Sequence, residues 1–409
     1  MERNQLFLLK TLKKFLQSKP KEKEMKQYNG DRVKFARIYN GLTVDDLASK
    51  LNISAQAESQ YEMGKITPQF DKLLGLSKVL NFPVDFFLKK DNISINAGSS
   101  YFRSLMKTHK KYRTEQKTKI QLLAKLYSIL SEYIEFPELN IPENIESYDS
   151  PEEAASFLRQ FWNLGEKPIP NLLRLLESKG IIVTSFETST NDIDAFSQYF
   201  NINGKNVYFI AYSNNKESAA RINFDLAHEL GHIILHNWNE DTEDISRETF
   251  KEKENQANEF AAAFLLPENA FRNDVHYFST ELQNYIELKK KWRVSIAAMI
   301  HRACALGIIS MNQYQYLIRV MSKKGFRVQE PLDNILEIPY PHLLKDAVEL
   351  LITNNVFSKK ELLEEFSNCG FPMEPKEIEK LFVLDKGYLS NIEDNNDYSP
   401  LILKMYSKD

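Results

Sequence analysis

The amino-acid sequence predicts a mainly α-helical protein that carries one small antiparallel sheet. Apolar residues recur at the spacing of a helix face through most of the chain. Residues 181–212 differ, because three short apolar runs there predict strands and Asn203-Gly204 is typical of a tight hairpin turn. The chain has 409 residues, of which 43% are hydrophobic, which is enough apolar material for two or three packed domains.

The composition excludes several classes of protein. The chain contains 53 Lys and Arg against 56 Asp and Glu, a net charge of −3. This charge excludes a strongly basic protein that coats nucleic acid or binds membranes through its overall charge. No apolar run reaches the roughly 18–20 residues of a membrane span. The two cysteines, Cys304 and Cys369, lack the spacing of a disulfide framework or a thiolate zinc site. We therefore expect a cytoplasmic protein that makes no contact with a membrane.

The first 90 residues predict a basic extension followed by a bundle of short helices. Residues 1–29 hold eight Lys or Arg and three Glu, a local net charge of 8 − 3 = +5, which is typical of a solvated arm or a short amphipathic helix. Residues 30–90 then alternate short periodic segments with tight turns. The predicted helices cover residues 32–39, 43–51, 54–63, 69–80 and 84–88.

A helix-turn-helix lies between the second and third of these helices, where Ser54 can cap the third helix. The surrounding motifs resemble the Cro/C1-type repressor family: Gly41-Leu42-Thr43, Leu51-Asn52-Ile53-Ser54 and Tyr61-Glu62-Met63-Gly64-Lys65. The resemblance implies that the helix beginning at Ser54 enters the major groove of DNA. The candidate DNA contacts are Arg32, Arg37, Thr43, Ser54, Gln56 and Gln60.

The same segment departs from that family in its charge. Val44 stands where the family usually has a phosphate-contacting glutamine, and Glu58 takes a position expected to be apolar. Residues 54–63 contain no Lys or Arg, although phosphate neutralisation supplies most non-specific affinity for DNA. Two interpretations follow. The segment is a DNA-binding domain, or it is a scaffold used for dimerisation, partner docking or sensing.

Residues 98–136 predict a basic linker helix. Positions 103–125 hold eight Lys or Arg and one Glu, a net charge of 8 − 1 = +7, while Ile120, Leu123 and Tyr127 recur at helical spacing. This helix is either a solvated linker or the segment that contacts a polyanion in place of the weakly charged helix-turn-helix.

Residues 141–275 combine the predicted sheet with a cluster of histidines. The predicted helices cover residues 151–161 and 171–179, and the predicted strands cover 181–186, 195–202 and 207–212. The last strand comes directly before the histidines. It is a candidate edge strand on which an extended peptide would lie.

The histidine cluster has the spacing of a catalytic zinc site. His228 and His232 lie four residues apart on a predicted helix, with Glu229 after the first. Two imidazoles one turn apart can share a zinc ion, and the glutamate can deprotonate a zinc-bound water. A third protein ligand is needed. His236 is about 12 Å of helix rise from His228, which is too far to close the same site.

The better third ligand lies on the next predicted helix. Ala257 and Ala261 allow that helix to pack closely against the first. Glu254 lies on the same face, three residues before Ala257, and is the expected ligand. Asn258 can hydrogen-bond a ligand imidazole, and Glu259 is the alternative ligand.

These residues resemble the ImmA/IrrE family of zinc metallopeptidases. The matching motifs are Arg-x-Asn-Phe-x-Leu-Ala-His-Glu-Leu-Gly-His at residues 221–232 and Glu254-x-x-Ala257-Asn258 with Leu265-Leu266-Pro267. Phe102-Arg103-Ser104, residues 292–302 and residues 325–332 are similar to longer members that carry a preceding helix-turn-helix. The resemblance implies a gluzincin-like site with His228, His232 and Glu254 as zinc ligands and Glu229 as general base. It also implies limited proteolysis of a repressor, in stress, mobile-element, toxin–antitoxin or phage-defence regulation.

Residues 276–409 predict a helical C-terminal region that covers the site or forms a homodimer surface. Its predicted helices cover residues 281–306, 311–322, 342–354, 359–366 and 375–382. The expected architecture is thus a helix-turn-helix bundle, an α+β gluzincin-like domain and a helical region. The favoured function is a zinc endopeptidase that cleaves a partner protein, such as a repressor or antitoxin encoded nearby. The alternative is a DNA-binding regulator whose peptidase-like half senses a signal or binds a partner without turnover.

Overall fold

The computed structural model describes residues 27–89, 93, 95–102, 110–142, 148–186, 194–215, 218–236, 238 and 246–391. Most of the predicted basic extension, residues 103–109 of the predicted linker helix and the end of the C-terminal region lie outside this part. Within it, the chain is mainly helical and carries one small sheet, as predicted. No helix of the described segments is both long and apolar enough to cross a membrane.

The N-terminal bundle forms as predicted. Its helices are α1 (Gly30–Tyr39), α2 (Val44–Leu51), α3 (Ala55–Glu62), α4 (Phe70–Leu80) and a 3₁₀ turn (Val84–Leu88). Thr43 and Asp46 form a reciprocal capping box at the start of α2, and the Ser54 hydroxyl accepts a hydrogen bond from the Ala57 amide at the start of α3. Between them Asn52 adopts a left-handed conformation, with φ of 52°, which turns the chain.

The predicted linker helix over residues 98–136 is wrong in its extent and its environment. Asn96–Phe102 form strand β1, and helix α5 covers Lys110–Leu130. The apolar face of α5 is fully buried, with Ile120 and Leu123 in a core shared with the N-terminal bundle and one face of the sheet. Helical periodicity shows which face of a helix is apolar but not what covers it, so the sequence did not show that α5 packs into a core.

The sheet contains four strands in the order β1-β3-β4-β2. The remaining strands are β2 (Ile182–Phe186), β3 (Ala195–Ile202) and β4 (Lys205–Ser213). β3 and β4 form the predicted hairpin, with Asn203 and Gly204 at φ of 52° and 78°.

Two details of the sheet correct the sequence prediction. β4 pairs antiparallel with β3 but parallel with β2, so the sheet is mixed rather than antiparallel. Because the hairpin reverses the chain direction, β4 runs antiparallel to β3 and parallel to β2. This places β4 inside the sheet, and the edge strands are β1 and β2 instead.

The other helices cover both faces of the sheet. They are α6 (Pro151–Phe161), α7 (Leu172–Ser178), α8 (Ala219–Leu235), α9 (Arg247–Leu265), α10 (Glu268–Val275), α11 (Leu282–Trp292), α12 (Ile296–Ala305), α13 (Met311–Lys323), α14 (Leu343–Thr353), α15 (Lys359–Asn368) and α16 (Pro375–Leu381). The single helix predicted over 281–306 is divided, because Arg293 takes a left-handed conformation that ends α11 and Ser295 caps α12.

Two buried apolar clusters hold the molecule together. One joins the N-terminal bundle, α5, one face of the sheet and the helices from α14 onwards. The other joins the opposite face of the sheet to helices α6 to α13. Polar contacts reinforce the first cluster: Glu377 on α16 accepts hydrogen bonds from Tyr39 at 3.3 Å and from Asn81 at 2.9 Å. The helix-turn-helix bundle is therefore docked on the C-terminal helices.

Candidate metal centre

Helices α8 and α9 cross closely beneath the sheet. Gly231 makes this approach possible, since a Cβ atom at that position would lie 3.1 Å from the Cα atom of Ala257. Side chains from the two helices then meet at the crossing. The small residues were visible in the sequence, and their role is to bring the two helix backbones together.

His228, His232 and Glu254 converge on one point. The Nε2 atoms of the two histidines are 3.1 Å apart. The carboxylate of Glu254 lies 3.5 Å from Nε2 of His228 and 3.2 Å from Nε2 of His232. Ligands of a tetrahedral zinc ion with bonds of about 2.05 Å are separated by about 3.3 Å. The donor set and its spacing therefore fit a zinc ion.

The pKa values of His232 and Glu254 also suit the binding of a divalent cation. Burial lowers the pKa of His232 to about 4, which leaves the imidazole neutral near pH 7. Burial acts to raise the pKa of Glu254, but hydrogen bonds and electrostatic interactions with His228 and His232 outweigh burial and lower that pKa to about 2. Neutral imidazoles and an ionised carboxylate are the protonation states in which these groups bind metal.

Polar side chains behind the ligands orient them. Asn258 Oδ1 lies 3.1 Å from Nδ1 of His228, and its Nδ2 donates to the Glu254 carbonyl. His236 Nδ1 lies 2.9 Å from Nδ1 of His232, and its Nε2 lies 3.1 Å from Gln256. The sequence reasoning left His236 without a role. Its position four residues after His232 was the signal for this contact.

Glu229 faces the sheet rather than solvent. The hydroxyl of Ser197 on β3 donates a hydrogen bond of 2.5 Å to Glu229 Oε2. The sequence reasoning missed Ser197, which lies outside every motif and reaches the site only through packing of α8 on β3. His228, Glu229 and His232 are each 0% exposed, while the side chain of Glu254 is 13% exposed. Glu259, the alternative ligand, is exposed on the far side of α9.

The structure does not bring the predicted DNA contacts into one solvent-facing set. Arg32 is buried, with its guanidinium 4.5 Å and 4.7 Å from the ring centres of Phe86 and Phe371. Arg37 forms an ion pair of 2.5 Å with Glu62. These two arginines hold the bundle together, and the expected contact with DNA phosphates is not supported for them.

The uncharged candidates lie nearer the surface. The Thr43 and Ser54 hydroxyls cap α2 and α3 and are exposed, as is Gln56, and Gln60 is half-buried on α3. Lys111 on α5 lies 3.5 Å from Asp46, which places the basic start of α5 beside the start of α2.

Comparison with known proteins identifies two domains. Residues 176–303 match a peptidase family described as the IrrE N-terminal-like domain, and residues 33–87 match a helix-turn-helix family. Both resemblances predicted from the sequence are thereby confirmed. The peptidase match spans α8, α9 and all the metal-site residues named above.

Two curated relatives match short stretches of the chain. The HTH-type transcriptional regulator ImmR of Bacillus subtilis is 42% identical over 65 residues, which cover 16% of this chain and 51% of ImmR. The SPbeta prophage-derived uncharacterized HTH-type transcriptional regulator YonR of the same organism is 37% identical over 60 residues, covering 15% of this chain and 56% of YonR. The chain thus spans about half the length of the curated relatives it matches.

Proposed function

We propose that this chain, in which an IrrE N-terminal-like peptidase domain follows a helix-turn-helix domain, is a zinc metalloendopeptidase that cleaves a partner protein. One observation carries the proposal. Two imidazoles and a carboxylate converge at zinc-ligand spacing, and Glu229 follows His228 directly on the same helix. A metal-assisted hydrolysis needs this combination of three ligands and one general base.

Each residue of the metal centre has a separate role in the proposed hydrolysis. His228, His232 and Glu254 would hold the metal. A bound zinc ion would polarise the scissile carbonyl and lower the pKa of a water molecule. Glu229 would accept a proton from that water molecule and transfer it to the leaving amine. Ser197 donates to Oε2 of Glu229, which orients the carboxylate.

The partner that we propose is a transcriptional repressor or antitoxin encoded nearby. The two curated relatives are transcriptional regulators by name, and one of them is named as prophage-derived. We therefore propose a role in stress, mobile-element, toxin–antitoxin or phage-defence regulation. Neither Cys304 nor Cys369 forms a disulfide, which suits the reducing cytoplasm where we propose that such a partner is cleaved.

The alternative function is a DNA-binding regulator that uses its peptidase-like half to sense a signal or bind a partner without turnover. The helix-turn-helix match and the regulator names of the relatives favour DNA binding by the N-terminal domain. The two functions are compatible when the helix-turn-helix domain brings the peptidase to a DNA-bound partner.

Substitution of Glu229→Gln tests the proposal. The zinc-loaded wild type and the variant are each co-expressed with the neighbouring gene products, and clipped fragments are identified by mass spectrometry. We expect the variant to cleave at least about 100-fold more slowly, because it lacks the general base. Its zinc content should stay at about one ion per chain, since all three ligands remain.

Glu259→Gln is the matched control, because Glu259 is an exposed carboxylate on the same helix as Glu254. We expect this variant to cleave at the wild-type rate. Cleavage by Glu229→Gln at the wild-type rate would overturn the mechanism. Absence of fragments from zinc-loaded wild type, together with altered transcription, would support the regulator instead.

A further inference from the structure

We propose that strand β1 is an internal competitor for the substrate: it occupies the edge of β3 where an extended segment of a protein would bind beside Glu229. The inference rests on the proposed function, because the segment is a substrate only if the protein is a peptidase. The competition itself is a property of the sheet. It can be tested without any cleavage.

The pairing of β1 places it next to the catalytic base. Tyr101 of β1 lies opposite Ser197 of β3, and the Ser197 hydroxyl contacts Glu229. A strand on this edge is therefore one inter-strand spacing, about 4.8 Å, from the residue that touches the base. Extended peptides bind to such edges by adding a strand, with main-chain hydrogen bonds supplying the affinity.

The other edge of the sheet does not offer the same position. β2 is separated from β3 by β4, and helices α7, α14 and α16 contact it. The hydroxyl of Thr184 on β2 donates to the Leu381 carbonyl, which ties this edge to the C-terminal helices. Of the two edges, only the one that carries β1 adjoins Ser197.

The two histidines and the base of the metal centre are buried in the arrangement that includes β1. His228, Glu229 and His232 have no solvent exposure. Hydrolysis requires a substrate carbonyl and a water molecule to reach these groups. With β1 paired to β3, the edge of β3 at Ser197 is not open to a segment of a partner protein. Release of β1 would expose the edge of β3 at Ser197.

The pairing of β1 is also irregular. The register shifts between Ala97 and Ser100, so the ladder is interrupted by a bulge. Gly98 lies at this bulge, where a Cβ atom would lie 2.4 Å from Cδ1 of the Tyr199 ring. Glycine and serine have low strand propensity, so a displacing segment with β-branched or aromatic residues can compete.

The first test frees the edge. A double substitution, Ser100→Pro and Tyr101→Pro, removes one ladder hydrogen bond in either register, because adjacent amides of an edge strand alternate between partner and solvent. The probe is a fluorescein-labelled peptide with the sequence of residues 95–102, and its binding to the full-length protein is followed by anisotropy. We expect the proline variant to bind the probe at least tenfold more tightly than wild type and to ignore a scrambled peptide. Equal binding by wild type and variant would overturn the proposal.

The second test fixes β1 on the edge of β3 with a disulfide. This test remains informative if the proline variant fails to fold. Asn96 lies opposite Asn201, away from Ser197. Asn96→Cys and Asn201→Cys are introduced together in a background with Cys304→Ser and Cys369→Ser, and opposed positions are close enough for a disulfide. We expect no probe binding after oxidation, and binding at the wild-type level after reduction with a phosphine. Equal probe binding in both states would contradict the proposal.

Cleavage of labelled, unfolded casein by the same zinc-loaded proteins separates this inference from the proposed function. We expect the proline variant to cleave at least tenfold faster than wild type, and the oxidised lock to lose cleavage. Adding Glu229→Gln to the proline variant should abolish it. Probe binding that follows β1 without any cleavage would support the strand competition and count against the peptidase function. Cleavage that depends on Glu229 but is equal in the locked and freed proteins would support the peptidase function and count against the strand competition.

Discussion

Two regions of the molecule bury glutamate side chains, and the consequences are opposite. In the helix-turn-helix bundle, Glu58 is fully buried, and neither carboxylate oxygen has a hydrogen-bond partner among the described residues. Burial, followed by the charge of Glu62, raises its pKa to about 7, although Arg37 acts in the opposite direction. In the metal centre, two imidazoles hold the pKa of Glu254 at about 2 despite burial.

The comparison shows that partners, rather than burial, decide what a buried carboxylate does. A carboxylate without partners takes up a proton or destabilises the fold, because its charge loses hydration. A carboxylate that faces two imidazoles stays ionised and is ready to bind a cation. Substitution of either carboxylate, or of a residue that supports it, should therefore have different consequences in the two regions.

Removal of the paired carboxylate should have the largest effect. Glu254→Gln is expected to weaken zinc binding by well over the roughly 100-fold that is typical of residues behind the ligands. The measurement is a competition titration against a chromogenic chelator. Glu259→Gln, which alters an exposed glutamate on the same helix, should leave zinc affinity unchanged. A loss with Glu259→Gln instead would identify that residue as the third ligand.

Removal of the unpaired carboxylate should stabilise the protein in a pH-dependent way. The pKa of Glu58 is about 7 in the folded state against a usual 4.5, so the folded state binds more protons between these values. The free energy of unfolding of the wild type should therefore fall as pH rises from about 4.5 to about 7. We expect Glu58→Gln to be more stable than wild type by about 3 kcal/mol at pH 8 and equal to it near pH 4.5.

Denaturant unfolding at the two pH values measures this effect. Glu62→Gln is the contrasting variant, because Glu62 forms an ion pair with Arg37 and its loss should destabilise the bundle at both pH values. A stability difference between Glu58→Gln and wild type that does not change with pH would show that Glu58 has a partner.

Loss of support behind a ligand should have a smaller effect. Asn258→Ala removes the side chain that lies 3.1 Å from Nδ1 of His228, and it should weaken zinc binding by about tenfold. Asn255→Ala is the matched control, since Asn255 is an exposed residue on the same helix. The same chelator titration measures both variants. Equal affinities would mean that α8 alone orients the imidazole.

The weakest expected effect concerns DNA. With Arg32 and Arg37 engaged inside the bundle, we expect the exposed start of α5 to supply phosphate contacts. Substitution of Lys110→Gln together with Lys111→Gln should reduce the slope of log affinity against log salt concentration by about 1.8, or about 0.9 for each lost contact. Gln56→Ala should alter sequence preference and leave that slope unchanged. An unchanged slope in the lysine variant would exclude α5 from the interface.

Much of the fold and of the candidate site could be predicted from local sequence. The start of α3 at the Ser54 cap, the hairpin at Asn203-Gly204 and the placement of His228 and His232 on one helix face all depend on residues a few positions apart. Local spacing also placed Glu254 and Asn258 on one face of α9, because i and i+4 side chains share a helix face.

The sequence by itself therefore determined the elements, their faces and the types of chemistry that those faces carry. The tertiary structure alone decided which faces meet. It put Ser197 against Glu229, buried Arg32 between two aromatic rings, enclosed β4 in the sheet and laid β1 on the edge of β3. Hydrophobic periodicity depends on residues that are close in the sequence. These contacts, in contrast, join residues far apart in the chain and depend on how whole elements pack.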